Sequence, residues 1–139
     1  MLDIYIQTLL ANVPTTNVAR QPVNLVFDIG ALNGTYGAGV ALLFKALERQ
    51  GHLQVKRLSG SSVGAFLAVW YQCECDHKLL ELADAMFEAY KTEFCFKAFS
   101  QLVHKFVYQL FATDSQLKTL LDNKVYITYF DTNAIDNAR

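Results

Sequence analysis

An α/β domain with a mainly parallel central sheet is the fold class this sequence predicts, on three observations. A short apolar run, VNLVFDI at 23–29, and a second strand candidate, LQVKRLS at 53–59, each lead into a glycine-containing turn and then a segment of helical length. Strand, loop and helix repeated in that order is the pattern of parallel strands joined by crossover helices. All seven glycines lie between positions 30 and 64, so the backbone is most permissive around the loops that follow these two runs. A third run, KVYITYF at 124–130, is rich in β-branched and aromatic residues and supplies a further strand.

The elements follow in chain order. Residues 2–13 fit either a short amphipathic helix or an edge strand, and Pro14 and Pro22 bracket a connector, so 1–22 reads as an N-terminal extension and linker. The domain proper is then 23–139. The run at 23–29 carries Val23, Leu25, Val26, Phe27 and Ile29 and leads at once into a glycine loop, the pattern of a buried strand. From Thr35 the apolar positions Val40, Leu43, Phe44 and Leu47 fall on one helical face, and Gly51 closes that helix. After the strand at 53–59, residues 62–76 have the length of a helix covering a sheet. The segments 78–94 and 96–111 are amphipathic at helical spacing, and the aromatic stripe of the second reads as core in preference to a lipid-contacting lid. A short helix at 114–122, opened by Asp114 or Ser115, precedes the last strand.

Composition narrows the function classes. Hydrophobic residues make up 53% and charged residues only 18%, against about 25% in average chains, so little of the surface is built for strong solvation. A net charge of −1 with no run of like charges offers no field for gathering nucleic acid. Cys73, Cys75 and Cys95 are an odd set without metal-ligand spacing to a second pair, and read as reduced thiols. No metal and no organic cofactor are expected. The N-terminus carries Asp3 where a signal peptide carries positive charge, and no segment reaches the roughly 18 apolar residues of a membrane span. The expected setting is cytoplasmic, at most peripheral to a membrane.

The chemistry concentrates at GSSVG, residues 60–64, which has the spacing Gly-x-Ser-x-Gly. With glycine near ~7% of residues and serine similar, this spacing arises by chance in roughly one chain of this length in twenty, so its context has to decide. The motif sits between a strand candidate and a helix candidate. A serine hydroxyl is a weak nucleophile, and a strained strand-to-helix turn is one way to expose it to both substrate and base. Gly60 and Gly64 supply the small flanks such a turn needs around Ser62 and Val63. The following helix directs its N-terminal amides toward the charge that develops in acyl transfer. The plain alternative is a tight turn that packs helix against sheet.

The earlier loop, DIGALNG at 28–34, fits neither a dinucleotide fingerprint nor a P-loop. Together the two loops resemble those of the patatin-like phospholipase family, in which Asp-Gly-Gly-Gly-x-Arg/Lys-Gly follows the first strand and Gly-x-Ser-x-Gly the next. The resemblance runs from about Val23 to Tyr71 and extends weakly to VYITYFDT. It implies a three-layer α/β fold and lipid acyl hydrolysis, with Ser62 as nucleophile and the backbone amides of Ile29, Gly30 and Ala31 as oxyanion hole. It also implies a lipid or phospholipid partner. Ile29 and Ala31 replace two of the family's loop glycines, and Asn33 stands where the family has a basic residue.

The family's catalytic base is an aspartate in an Asp-Gly-Ala/Gly motif. No glycine follows Gly64 here, so no such motif exists in the chain, and Asp131 matches a different, structural aspartate. Two readings follow: a lipid hydrolase represented by the N-terminal part of its domain, truncated on the C-terminal side, or a catalytically incomplete module that binds lipid or a partner. Asp28 either orients the first loop or caps it. His52, His77 and His104 invite a Ser-His-Asp triad but read as solvated surface residues, and Cys73, Cys75 and His77 make a poor tetrahedral site.

Overall fold

The computed structural model describes residues 2–14, 22–28, 34–74, 76–92, 100–102, 104–106, 108 and 115–128. Helix α1 (Leu2–Ala11) precedes strand β1 (Pro22–Phe27), and α2 (Gly34–Arg49) leads into β2 (Gln54–Ser61). Helices α3 (Val63–Cys73), α4 (Asp76–Thr92) and α5 (Ser115–Leu121) follow, and β3 (Val125–Thr128) comes last. Of the segment expected as a helix at 96–111, residues 100–102, 104–106 and 108 are helical and the rest lies outside the described residues.

The three strands form one parallel sheet in the order β1-β2-β3. Consecutive parallel strands require a crossover between them, and α2 and the α3–α5 stretch provide the two crossovers. The class expected from the sequence is therefore present: a parallel sheet with helices packed on it. Strand β2 is central, with Phe27 of β1 beside Gly60 and Thr128 of β3 beside Ser61. The carboxyl ends of all three strands thus reach the same edge, where ligands bind in open α/β sheets.

Side chains alternate across the sheet. Leu25 and Phe27 of β1, Val55 and Leu58 of β2, and Val125 of β3 all join one core with Ala41 of α2 and Leu67, Ala68, Trp70 and Tyr71 of α3. Helix α3 is the centre of that core, and Trp70 is fully buried. Its sequence explains this: VGAFLAVWYQC contains no charged residue, so it can be surrounded on most sides. The opposite sheet face is open. Val26 is 75% exposed and Tyr126 46%, whereas parallel sheets are ordinarily covered on both faces. Arg57 lies over the Tyr126 ring on that face, 5.9 Å from its centroid.

The N-terminal segment resolves in favour of the helix. Ile6 and Leu10 of α1 are buried, four residues apart on one face, and the helix packs on α2. Two boundaries also shift. Strand β2 runs on to Ser61, because Gly60 pairs with both Phe27 and Ile127 and Ser61 still pairs with Thr128, and α3 stops at Cys73, where Glu74 adopts a left-handed conformation with φ 55°.

At the edge remote from Ser62, a polar knot ties three elements. Glu48, near the end of α2, accepts a hydrogen bond from the Val55 amide at 2.7 Å and another from the Tyr71 hydroxyl at 3.0 Å. The β1–β2 register shifts next to Val55, and β3 begins only opposite Leu58, so this stretch of β2 has limited ladder support. A carboxylate from the preceding helix helps to compensate. Lys45, one turn earlier, is only 3% exposed, and its ammonium lies 4.9 Å from the Trp70 ring centroid and 5.6 Å from that of Tyr71.

Burial, followed by the hydrogen bond and charge of Glu48, raises the Tyr71 phenol above its ordinary pKa. The unfolded phenol ionises near pH ~10 while the folded one keeps its proton, so folding weakens as pH rises through that region. The thermal midpoint is expected to fall above pH ~10 more steeply in the wild type than in Tyr71→Phe. Equal slopes would contradict a folded phenol held in its protonated form.

Candidate active site

Ser62 occupies the corner between β2 and α3. It has φ 55° and ψ −127°, a conformation that residues with a Cβ rarely adopt, at a cost of about 1–3 kcal/mol. Its carbonyl accepts from the Ala65 amide at 3.0 Å and the Phe66 amide at 3.4 Å, so α3 starts at once. A serine in this position commonly caps the helix with its own hydroxyl. Here the side chain makes no capping hydrogen bond and the residue is exposed. Strain is stored at Ser62, and its hydroxyl is left out of helix capping.

The flanking glycines are what allow this corner. A Cβ on Gly60 would overlap the carbonyl of Gly64 and come within 2.6 Å of the Ala65 nitrogen, because the chain turns back over its own strand. A Cβ on Gly64 would overlap the carbonyl of Phe27 and lie 2.6 Å from the Asp28 carbonyl oxygen, because the first turn of α3 rests on the end of β1. Neither position admits alanine without moving backbone. The small flanks expected from the spacing Gly-x-Ser-x-Gly thus have a specific steric cause at each end.

Two further residues meet at this corner. Asp28, directly after β1, has an exposed side chain, and its backbone touches the Ser62 turn at Gly64. At Gly34, which opens α2, a Cβ would sit 2.8 Å from Cγ1 of Val63, the residue after Ser62. Ile29, Gly30 and Ala31, expected as an oxyanion hole, and Asn33 lie outside the described residues, as does Asp131. Of the first-turn amides of α3, those of Ala65 and Phe66 donate to the Ser62 carbonyl, while those of Val63 and Gly64 precede the helix's own hydrogen-bond ladder at the strand-end edge where Ser62 stands. Exposed apolar side chains occur at the same edge: Tyr36 in the first turn of α2 is 77% exposed and Ile127 near the end of β3 is 53% exposed.

The histidines do not assemble a triad with Ser62 among the described residues. His52 lies in the turn between α2 and β2, at the opposite edge of the sheet, and His77 is the second residue of α4, which begins where α3 has run away from Ser62. His104 is exposed and stacked on Tyr108, with ring centroids 6.1 Å apart. Cys73 is half-buried at the end of α3, and Cys75 and Cys95 lie outside the described residues. Among the described residues no group of three or more His, Cys, Asp or Glu could hold a metal ion, and no helix is long and apolar enough to cross a membrane.

Compared with protein-family models, curated protein sequences and solved structures, the chain matches none.

If Ser62 stores backbone strain, glycine should relieve it where alanine cannot. Ser62→Gly is expected to be more stable than Ser62→Ala by about 1 kcal/mol, even after the extra chain entropy glycine brings to the unfolded state. Urea unfolding of both variants checks this, and a less stable glycine variant would contradict the strain.

Proposed function

We propose that this protein is a serine-dependent acyl hydrolase with Ser62 as nucleophile, acting on ester-linked lipids. The observation that carries the proposal is the Ser62 corner: φ 55°, no capping role, and a glycine on each side where a Cβ would meet backbone. Chain turns that serve packing alone have no need of a strained, exposed serine. In the proposed reaction, the Ser62 Oγ attacks the ester carbonyl carbon, the alcohol leaves, and water then releases the fatty acid from the acyl-enzyme. Amides at the start of α3 and in the loop at 29–31 would steady the oxyanion. The supporting geometry for that loop is at its flanks, since Asp28 and Gly34 both touch the Ser62 turn.

The lipid assignment rests on the patatin-like pair of loops, with the exposed Tyr36 and Ile127 at the same edge in support. The finer architecture belongs to the same reading. A three-layer patatin-like domain needs helices on both sheet faces, and the face bearing Val26 and Tyr126 is where a second layer would pack.

A second reading, a lipid-binding module without turnover, is favoured by one observation: no Asp-Gly follows Gly64, so the family's base motif is missing. A fluorophosphonate probe separates the two. The hydrolase reading predicts covalent labelling at Ser62 that Ser62→Ala abolishes. Wild-type protein that stays unlabelled yet co-sediments with phosphatidylcholine vesicles would establish the second reading and sink the first.

A further inference from the structure

We propose that the uncovered face of the sheet is a docking surface for one acidic amphipathic helix of a partner protein, whether or not Ser62 is a nucleophile. Chain topology accounts for why that face is bare. Crossovers between parallel strands are right-handed, so two that step in the same direction, β1 to β2 and β2 to β3, lay their helices on the same side. The core agrees: Leu25, Leu58 and Val125, level with one another on the three strands, all join the cluster built with α2 and α3. Helix α1 packs on α2, α4 on both α2 and α3, and α5 on α3, so the other helices extend that one layer.

The bare face carries two rows of side chains across the strands. In one, Val26, Ser59 and Tyr126 stand side by side, Val26 and Tyr126 exposed and Ser59 half-buried between them. A small residue between two larger apolar ones makes a shallow trough, which suits the ridge of a helix; a lipid surface is met by side chains that project. In the next row, toward the amino ends of the strands, Arg57 pairs with Asn24 on one side and lies level with Lys124 on the other, all three exposed. Lys56, also exposed, is the extra residue of β2 where the β1–β2 register shifts. Against these three cations the turn before β3 carries one carboxylate, Asp122, so this end of the face complements an acidic partner.

Size selects the kind of partner. Three strands about 4.8 Å apart, over the roughly 13 Å from the level of Arg57 to that of Ser61, outline on the order of 200 Å², against about 800 Å² per partner in a standard stable interface. A second copy laid on this face alone falls short of that. One helix, about 10 Å across, covers the same outline with roughly three turns. Its apolar stripe would lie along Val26 and Tyr126 and its Asp or Glu side chains would meet Arg57, Lys56 and Lys124. Arg57 already lies 5.9 Å from the Tyr126 ring centroid, so a single helical turn reaches both the cation and the apolar wall.

The test is fluorescence anisotropy with two labelled helical peptides of about 15 residues, each bearing a leucine stripe, flanked by glutamates in one and by lysines in the other. Wild type is expected to bind the glutamate peptide at least about tenfold more tightly than the lysine peptide, a preference that shrinks as salt rises. Val26→Asn should weaken binding of both peptides, and Arg57→Glu combined with Lys124→Glu should reverse their order. All three positions are exposed, and the thermal midpoint checks that each variant stays folded. Neither peptide binding, or binding that ignores these substitutions, would overturn the proposal. Wild type that binds phosphatidylserine vesicles and neither peptide would overturn it in favour of a lipid contact, and a dimer that Val26→Asn abolishes would do so in favour of a contact between copies. If the double variant fails to fold, Val26→Asn and the salt dependence decide, and binding indifferent to both overturns the proposal.

Discussion

The contact on which the rest of this structure depends is the seating of Gly64 against the carbonyls that end β1. Because α3 begins within contact of Phe27 and Asp28, the chain leaving β2 has no room for a gradual turn, and Ser62 must take the whole change of direction in one residue. The positive φ at Ser62 follows from that crowding. So does the glycine at 60, which lets the chain fold back over its own strand. The exposure of Ser62 follows as well, since a serine at a corner has neighbours on fewer sides than one within a strand or helix.

Holding such a corner requires that α3 be unable to retreat, and the rest of the core supplies that. Trp70 and Tyr71 fix the far half of the helix, Trp70 fully buried beneath the Lys45 ammonium and Tyr71 tied through Glu48 to the start of β2. Phe27 packs on Tyr71 with ring centroids 6.3 Å apart, so the strand that crowds Gly64 is itself held by the same helix. Strain at one end of α3 is thereby opposed by apolar burial and buried polar contacts at the other. This arrangement accords with the general finding that local strain persists where surrounding structure over-determines it.

Much of this was legible in the sequence, and the limits have physical reasons. The order β1, α2, β2, α3 could be read because apolar runs and glycines alternate along the chain, and the stop at Gly51 because its φ of 79° suits a residue without Cβ. The motif at 60–64 announced small flanks, while the partners that make them necessary, Phe27 and Asp28, are more than thirty residues distant in the chain and visible only once β1 and β2 pair. The roles of Lys45 and Glu48 went unread for a related reason. Each charged residue looks solvated in a helix pattern, although Lys45 stands four residues after the buried Ala41 and so shares its face, a signal that spacing alone contained. The openness of the sheet face at Val26 and Tyr126 could not be foreseen, because a strand's apolar character does not record whether a second layer is present.

The corner needs glycine for space, and unfolding of three glycine-to-alanine variants in urea tests this within one protein. Gly39, inside α2, has nothing within 4 Å of the place a Cβ would take, so Gly39→Ala should gain about 0.5–1 kcal/mol from helix propensity. Gly60→Ala and Gly64→Ala should each lose stability, by about 1–3 kcal/mol or more, as backbone is pushed aside. A Gly64→Ala midpoint at or above that of the wild type would show that α3 is not seated on β1 as described, and would remove the reason for the strained serine.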